Sequence, residues 1–378
     1  MKSLKAPSDI SGLTSATDVF FALGVFNAER ANADRLAGLD SDWNGAADLS
    51  FRLKTPLILF HNLSRFGLLD RVTLERRKRW EAWRDKALKL NLYWTHRFLE
   101  ISGWLRDEGI RAVPLKGLSL ANGTYLSEAL RASSDLDIWI APKDARRAAE
   151  ILKRKGCHIK APTIRGVFVN HGQEFSALSP EGADVDVHFR LFSWYAERIV
   201  FGFDSSDFFS RVVETEWNGS KLWRMSFEDE FHYALMSYLG SGQRSFRYVL
   251  DADALLRTHR HAWDDAALKA RLASGPLATD FAKILAFLRD RLRNPHACGL
   301  LGAADAGASD VERRLFAFRP EPDARTGQRL LFGFVRSFFD KIRLVVLFAR
   351  WQAFKRFGWH RSFFLRHNNP EDIPWEAI

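Results

Sequence analysis

Residues 131–140 read Arg-Ala-Ser-Ser-Asp-Leu-Asp-Ile-Trp-Ile, a short apolar, β-branched run with two carboxylates spaced two apart. In a strand, residues i and i+2 point to the same face, about 6.6 to 7 Å from one another. The run therefore sets Asp135, Asp137 and Trp139 on one face and Leu136, Ile138 and Ile140 on the other. One face is core and the other carries charge. Like charges that close repel by roughly a few kcal/mol, so the pair needs a compensating cation or must keep a proton. A divalent metal meets that need, and deleting one of two repelling charges is expected to cost little stability.

Upstream, Leu115-Lys116-Gly117 stands between an expected strand, Ile110–Leu115, and an expected helix, Leu118–Leu130. Backbone N–H groups at such a junction, the helix dipole and the Lys116 ammonium can converge on a triphosphate. Arg131, four residues before Asp135, offers a second phosphate clamp. Downstream, Asp184-Val-Asp-Val-His-Phe-Arg190 alternates strictly, with Val185, Val187 and Phe189 on one face and Asp184, Asp186, His188 and Arg190 on the other. Asp186 lies between two valines at the strand centre, whereas Asp184 follows Gly182-Ala183, so Asp186 is the expected third carboxylate. Three carboxylates on adjacent strands can hold two divalent cations for an in-line phosphoryl displacement, and Mg²⁺ suits a site that leaves positions for water and phosphate.

The flanks read as helical. From about residue 14 to 109 an apolar stripe at Val19, Phe20, Leu23 and Phe26 leads to a segment over Leu53–Leu69 and a long helix over Leu74–Asp107. Strands are expected at Cys157–Lys160 and Val167–Ala177, with a helix from Pro142 to Lys155 between the acidic run and the first of them. From about residue 204 helices return, opening with Ser226-Phe-Glu-Asp229 as a cap ahead of Phe231–Leu239. They continue over Val249–His259, Asp264–Ala273, Ala278–Leu292 and Leu330–Phe357, with residues 298–312 as the expected linker.

At 378 residues, 47% hydrophobic and 13% aromatic, the chain can bury a sizeable core. Two cysteines, Cys157 and Cys298, exclude a disulfide scaffold and favour a reducing compartment, so a cytoplasmic location is expected. Val19–Phe26 followed by Ala31-Asn-Ala33 imitates a signal peptide, but Asp9 and Asp18 intrude. Arg336, Asp340, Lys341 and Arg343 interrupt the longest apolar stretch, and no membrane span is expected. The net charge of +10 and the pI of 9.7 suit polyanionic company, although the basic residues are interleaved with acids, so nucleic acid is not the favoured partner. The basic aromatic run Phe338–Trp359 is expected to be a packed helix with a basic outer face.

The order Gly109-Ile110, Pro114-Leu-Lys-Gly117, Arg131 through Asp135-Leu-Asp137, and Val185-Asp-Val-His188 resembles the uncharacterised nucleotidyltransferase family of the polymerase-β-like superfamily. The likeness covers roughly residues 50–256 and takes in Phe60-His-Asn-Leu63 and the segment Arg247-Tyr-Val-Leu-Asp251. It implies an α+β fold, a minimal nucleotidyltransferase core with a mixed sheet, over about 106–200, between an N-terminal helical region (1–105) and a C-terminal helical domain (201–378). It implies transfer of a nucleoside monophosphate from an NTP, ATP by expectation, with two Mg²⁺ ions. Asp135, Asp137 and Asp186 match the family's metal-binding and catalytic carboxylates. Lys116, Gly117 and Ser119 stand where many relatives place a Gly-Ser pair for the triphosphate, and His188 is a further expected nucleotide contact. Arg247 and Asp251 are expected near the substrate. The acceptor would be a small molecule, peptide or protein, with natural-product tailoring as the expected setting. RNA-end transfer and a catalytically idle nucleotide-binding scaffold are the competing readings.

Overall fold

A computed structural model describes residues 15–125, 127–160, 173–192, 196–217, 219–241, 245–301 and Val311. Four helices lead in: α1 (Ala16–Leu23), α2 (Arg30–Ala37), α3 (Trp43–Arg52) and α4 (Pro56–Phe66). Local chemistry sets their ends. Ser15 Oγ accepts from the Asp18 N–H and Asp42 Oδ1 from the Gly45 N–H, each satisfying a donor that a helix start leaves unpaired. Pro56 opens α4, and Gly67 closes it at φ +71°, a conformation that a side chain would strain. Helix α5 (Leu74–Asp107) then runs 34 residues, about 50 Å at the usual helical rise.

The sheet comprises β1 (Val113–Pro114), β2 (Leu136–Trp139), β3 (His158–Lys160), β4 (Glu174–Leu178) and β5 (Asp184–His188), in the order β1-β2-β5-β4-β3. Strands β2 and β5 are parallel and the other pairs antiparallel, so the sheet is mixed and the fold α+β, as the family resemblance implies. The alternation of β2 and β5 fixes which side is core. Leu136, Ile138, Val185 and Val187 pack in one apolar cluster with Trp94, Phe98, Ile101 and Leu105 of α5 and with Ala148, Ile151 and Leu152 of α7 (Ala145–Arg154). Burying such side chains stabilises by about 1.5 to 3 kcal/mol each. The polar rows face away from that cluster.

After the sheet come α8 (Ser205–Ser210), a hairpin of β6 (Val213–Trp217) and β7 (Ser220–Arg224), then α9 (Phe227–Gly240), α10 (Phe246–His259), α11 (Asp265–Ser274), α12 (Ala278–Asp290) and α13 (Ala297–Leu300). The expected cap forms, with Ser226 Oγ accepting from the Asp229 N–H at 3.2 Å. A second apolar cluster joins α1, α3 and α4 to α9, α10 and α12, with Phe20 and Phe21 of α1 against Phe246 of α10 and Phe21 against Phe287 of α12, so helices far apart in sequence share one core.

Several expectations change. The helix expected over Leu118–Leu130 is α6 (Lys116–Gly123), ending at Gly123, followed by a separate 3-10 turn over Glu128–Leu130 whose N–H of Ala129 is capped by Ser127. The β6–β7 hairpin lies where helical character was expected to return; its signal was Asn218-Gly219 between alternating Val-Glu-Thr-Glu-Trp and Ser-Lys-Leu-Trp-Arg, with Gly219 at φ +76°. Helix α13 occupies the start of the expected linker. The expected helix Leu330–Phe357, the run Phe338–Trp359 and the first residues of the strand expected at Val167–Ala177 lie outside the described residues. Among the described residues no helix is long and apolar enough to cross a membrane.

A carboxyl outside the sheet makes the fold pH-sensitive. Glu197, 2% exposed in the π-helical turn Ala196–Phe201, accepts from Ser205 Oγ, the Phe192 N–H at 3.0 Å and the Ser205 N–H at 3.3 Å. Burial nonetheless pushes it up to about 7 from its ordinary 4.5. Between those values the folded chain holds a proton that the unfolded chain has lost, so this group's contribution falls as pH rises through the window. The full window corresponds to at most about 3 kcal/mol. Urea unfolding at pH 5 and pH 8 is expected to show a stability difference smaller by roughly 1 to 3 kcal/mol in Glu197→Gln than in the parent chain. Parallel pH profiles would contradict the assignment.

Candidate functional site

The register of β2 against β5 pairs Asp137 with Asp186 and Trp139 with His188, while β4 against β5 sets Ser176 beside Asp186 and Glu174 beside His188. Paired residues in neighbouring strands share a face about 4.8 Å apart at the backbone, so Asp137, Asp186, His188, Glu174 and Ser176 form one polar patch. Asp184 pairs with Leu178 at the strand end and is exposed. Asp135 precedes β2 and is also exposed, with Ser133 Oγ donating to its backbone carbonyl at 2.9 Å.

Asp137 is the centre of charge, 6% exposed, with Lys116 Nζ 3.1 Å from Oδ2 and His188 Nε2 2.7 Å from Oδ1. His188 Nδ1 lies 3.0 Å from Glu174 Oε2, so the imidazole is held between two carboxylates. Burial alone would raise the Asp137 carboxyl, but His188 and then Lys116 outweigh it and hold it well below the usual carboxylate range. Burial and the Lys116 charge would lower His188, but its contacts with the Asp137 and Glu174 carboxylates outweigh them and hold it up to about 9, so it is an imidazolium at neutral pH. Lys116 is likewise raised above the ordinary lysine range, with Tyr233 and Asp137 outweighing its burial. Asp186 goes the other way: burial, then the charges of Glu174 and Asp137, raise it against the hydrogen bond from Ser176 Oγ at 2.6 Å.

The backbone presents Lys116 deliberately. The Leu115 N–H donates to the Asp137 carbonyl at 3.1 Å, docking the start of α6 onto β2. Lys116 follows at φ +52°, sparsely populated for a residue with a side chain and a form of strain that collects at functional sites. Gly117 is required by close approach, because a Cβ there would meet Ser133 Oγ at 2.5 Å and Ser133 Cβ at 2.9 Å. Helix start and acidic loop are thus pressed together.

Two buried anchors fix that loop. Asn91 of α5 donates to the Arg131 carbonyl at 2.8 Å and accepts from the Ser133 N–H at 2.9 Å. Arg131 forms a bidentate pair with Asp251 of α10, Nε to Oδ1 at 2.7 Å and Nη2 to Oδ2 at 2.8 Å, and Tyr125 donates to Oδ1 at 2.8 Å. Arg131 and Asp251 therefore act as an internal clamp, with both partners buried. Ser119, 2% exposed, donates to Glu230 of α9 rather than facing the patch. His188 faces Asp137 and Glu174 from a buried position. Arg247 lies in the first turn of α10, one turn before Asp251.

Asn91, Glu174, Ser176, Tyr125 and Glu230 were not singled out by the sequence reading. Asn91 had a legible signal, a lone amide on the face of α5 that also carries Ala87, Trp94 and Phe98. Glu174 and Ser176 alternate with buried Phe175 and Ala177, which is equally legible. Tyr125 and Glu230 left no trace, because their partners come from 126 and 111 residues away.

Among the described residues no three His, Cys, Asp or Glu side chains are grouped to hold a metal ion. Asp137 and Asp186 are paired across β2 and β5, the first buried and the second half-buried, and Mg²⁺ is commonly held by one or two carboxylates together with substrate phosphates and water. Burial first, and then the charges of Glu174 and Asp137, raise Asp186, and a cation beside it would offset that neighbouring charge. That pair fits the ion.

A family model described as an uncharacterised nucleotidyltransferase matches residues 40–293. No curated protein and no solved structure matches the chain.

Proposed function

The chain belongs to the uncharacterised nucleotidyltransferase family, and from that premise we propose that the polar face of β2 and β5 transfers a nucleoside monophosphate from an NTP to a small-molecule, peptide or protein acceptor. The observation that carries this reading is the register pair Asp137 and Asp186, on one sheet face, met by Lys116 from a strained helix start.

In the proposed mechanism Asp137 and Asp186 would hold Mg²⁺, with Asp135 at the exposed loop edge as an additional carboxylate for a second ion. The acceptor oxygen attacks the α-phosphorus, the α–β phosphoanhydride bond breaks and pyrophosphate leaves; when bound, the metal would neutralise phosphate charge and stabilise attacking and leaving oxygens. The residues do the rest. His188 and Glu174 orient Asp137 and keep it ionised, as outer partners of a ligating carboxylate commonly do. Lys116 exchanges its contact with Asp137 for the triphosphate, a charge-assisted contact like the one it gives up. Gly117 allows the backbone of α6 to approach the phosphates. Asp186, which accepts a hydrogen bond from Ser176, would accept the proton of an acceptor hydroxyl. Ser119, Arg131 and Asp251 support the loop and helix from behind rather than touching nucleotide.

Incubating the protein with each NTP, Mg²⁺ and pools of candidate acceptors, with mass detection of added nucleotide, tests the reading. Transfer that disappears in Asp186→Ala is expected. Turnover that survives that substitution within about tenfold would contradict the role of this face, since removing a group that acts on the reacting atoms commonly costs 10²-fold or more. RNA ends belong among the acceptors, because the net charge of +10 is the one feature that favours them.

A further inference from the structure

We infer that Arg247 is a binding residue for the terminal phosphates of the nucleotide, whereas Asp251, one helical turn on, serves only to hold Arg131; this rests on the proposed function and deepens it. Residues i and i+4 share a helix face; from that face of α10 Asp251 reaches Arg131 of the acidic loop, and Arg247 feels the charges of Arg131 and Asp135 in the same loop. Their fates differ. Both Asp251 oxygens are taken, Oδ1 by Arg131 Nε and Tyr125, Oδ2 by Arg131 Nη2. Arg247 Nε is buried and, among the described residues, has no hydrogen-bond partner.

A buried, unpaired donor on a permanently charged group costs free energy unless something meets it. Neighbouring charge makes the cost larger. Arg131 first, and burial next, hold the Arg247 guanidinium below its ordinary range, with only partial compensation from Asp251, Tyr248 and Asp135. Lys116 belongs to the same neighbourhood, since Tyr248 acts on Lys116, Arg131 and Arg247 alike. The result is a cationic cluster whose buried acids are already engaged, Asp251 by Arg131 and Tyr125 and Asp137 by Lys116 and His188. It is complementary to a polyanion, and a planar guanidinium is suited to bind phosphate through two N–H groups at once. Its place beside the acidic loop puts that anion next to the carboxylates, as an NTP requires and a free nucleoside does not.

Calorimetric titration of the full chain with MgATP, Mg²⁺ with inorganic tripolyphosphate, and AMP tests this. Arg247→Gln is expected to lose MgATP and tripolyphosphate affinity together by roughly tenfold to a hundredfold and to leave AMP affinity within about twofold, as the loss of one charge-assisted contact would do. Arg247→Lys, which keeps the charge but not the fork, is expected to fall between the two and guards against a folding defect in the glutamine variant. If the parent chain binds MgATP and both variants match it on all three ligands, the inference is overturned while the nucleotide reading stands. If the parent chain binds none of the three, both are overturned. Equal loss of AMP and MgATP in Arg247→Gln would overturn the inference by placing the residue against base or sugar.

Discussion

Asp137→Ala is expected to abolish transfer and to lower stability by about 3 kcal/mol, toward the lower end of what removing one partner of a buried ion pair costs. The sequence alone suggests little cost to stability, because Asp135 and Asp137 read as two repelling charges. The structure corrects this. Asp135 is exposed and outside β2, while Asp137 is buried between Lys116 and an imidazolium, so its removal strands two cations. His188 can relieve part of the strain by shedding its proton, which Asp137 otherwise helps to hold up to about 9. The stability loss should therefore be larger at pH 6 than at pH 8. Urea unfolding at the two pH values checks this, with Asp135→Ala expected to stay within about 0.5 kcal/mol of the parent chain. A stabilised Asp137→Ala would contradict the electrostatic account.

The largest loss of stability is expected for Asp251→Ala, about 3 to 5 kcal/mol. Arg131 is 4% exposed and has no neutral form to retreat to, so the whole cost of an unpaired buried charge falls on the fold. Tyr125 loses its acceptor as well. Replacing both partners by apolar residues of similar size, Arg131→Met with Asp251→Leu, removes the stranded charge and is expected to recover most of the stability. Transfer should remain low in the double variant, because the loop from Arg131 to Asp135 would have lost its tether to α10. Asp251→Ala unfolding within about 0.5 kcal/mol of the parent chain would show that the clamp does not hold the loop.

These two residues illustrate what the sequence could convey. Periodicity was enough to place Asp137 and Asp186, since a period of two in β2 and β5 leaves only one face for each, and the flanking valines separated Asp186 from Asp184. The long helix α5 was equally legible from its apolar spacing. The side-chain partners of Arg131, Ser119 and His188 were not. Each was read as facing nucleotide because its residue type suits phosphate, yet each is turned inward by a partner remote in sequence: Asp251 for Arg131, Glu230 for Ser119, Asp137 and Glu174 for His188. Pairings of that kind depend on how α9 and α10 dock against the sheet, which no local pattern encodes. The β6–β7 hairpin is a different matter, because Asn218-Gly219 between two alternating runs is a legible turn signal set within an otherwise helical stretch.

The most direct test of the site is a crystal structure of the chain with Mn²⁺ in place of Mg²⁺ and a non-hydrolysable NTP analogue, the metal located by its anomalous scattering. The account predicts metal density between the Asp137 and Asp186 carboxylates, with Lys116 moved from Asp137 onto the triphosphate. Nucleotide and metal bound away from the β2–β5 face, with Lys116 still paired to Asp137, would contradict it.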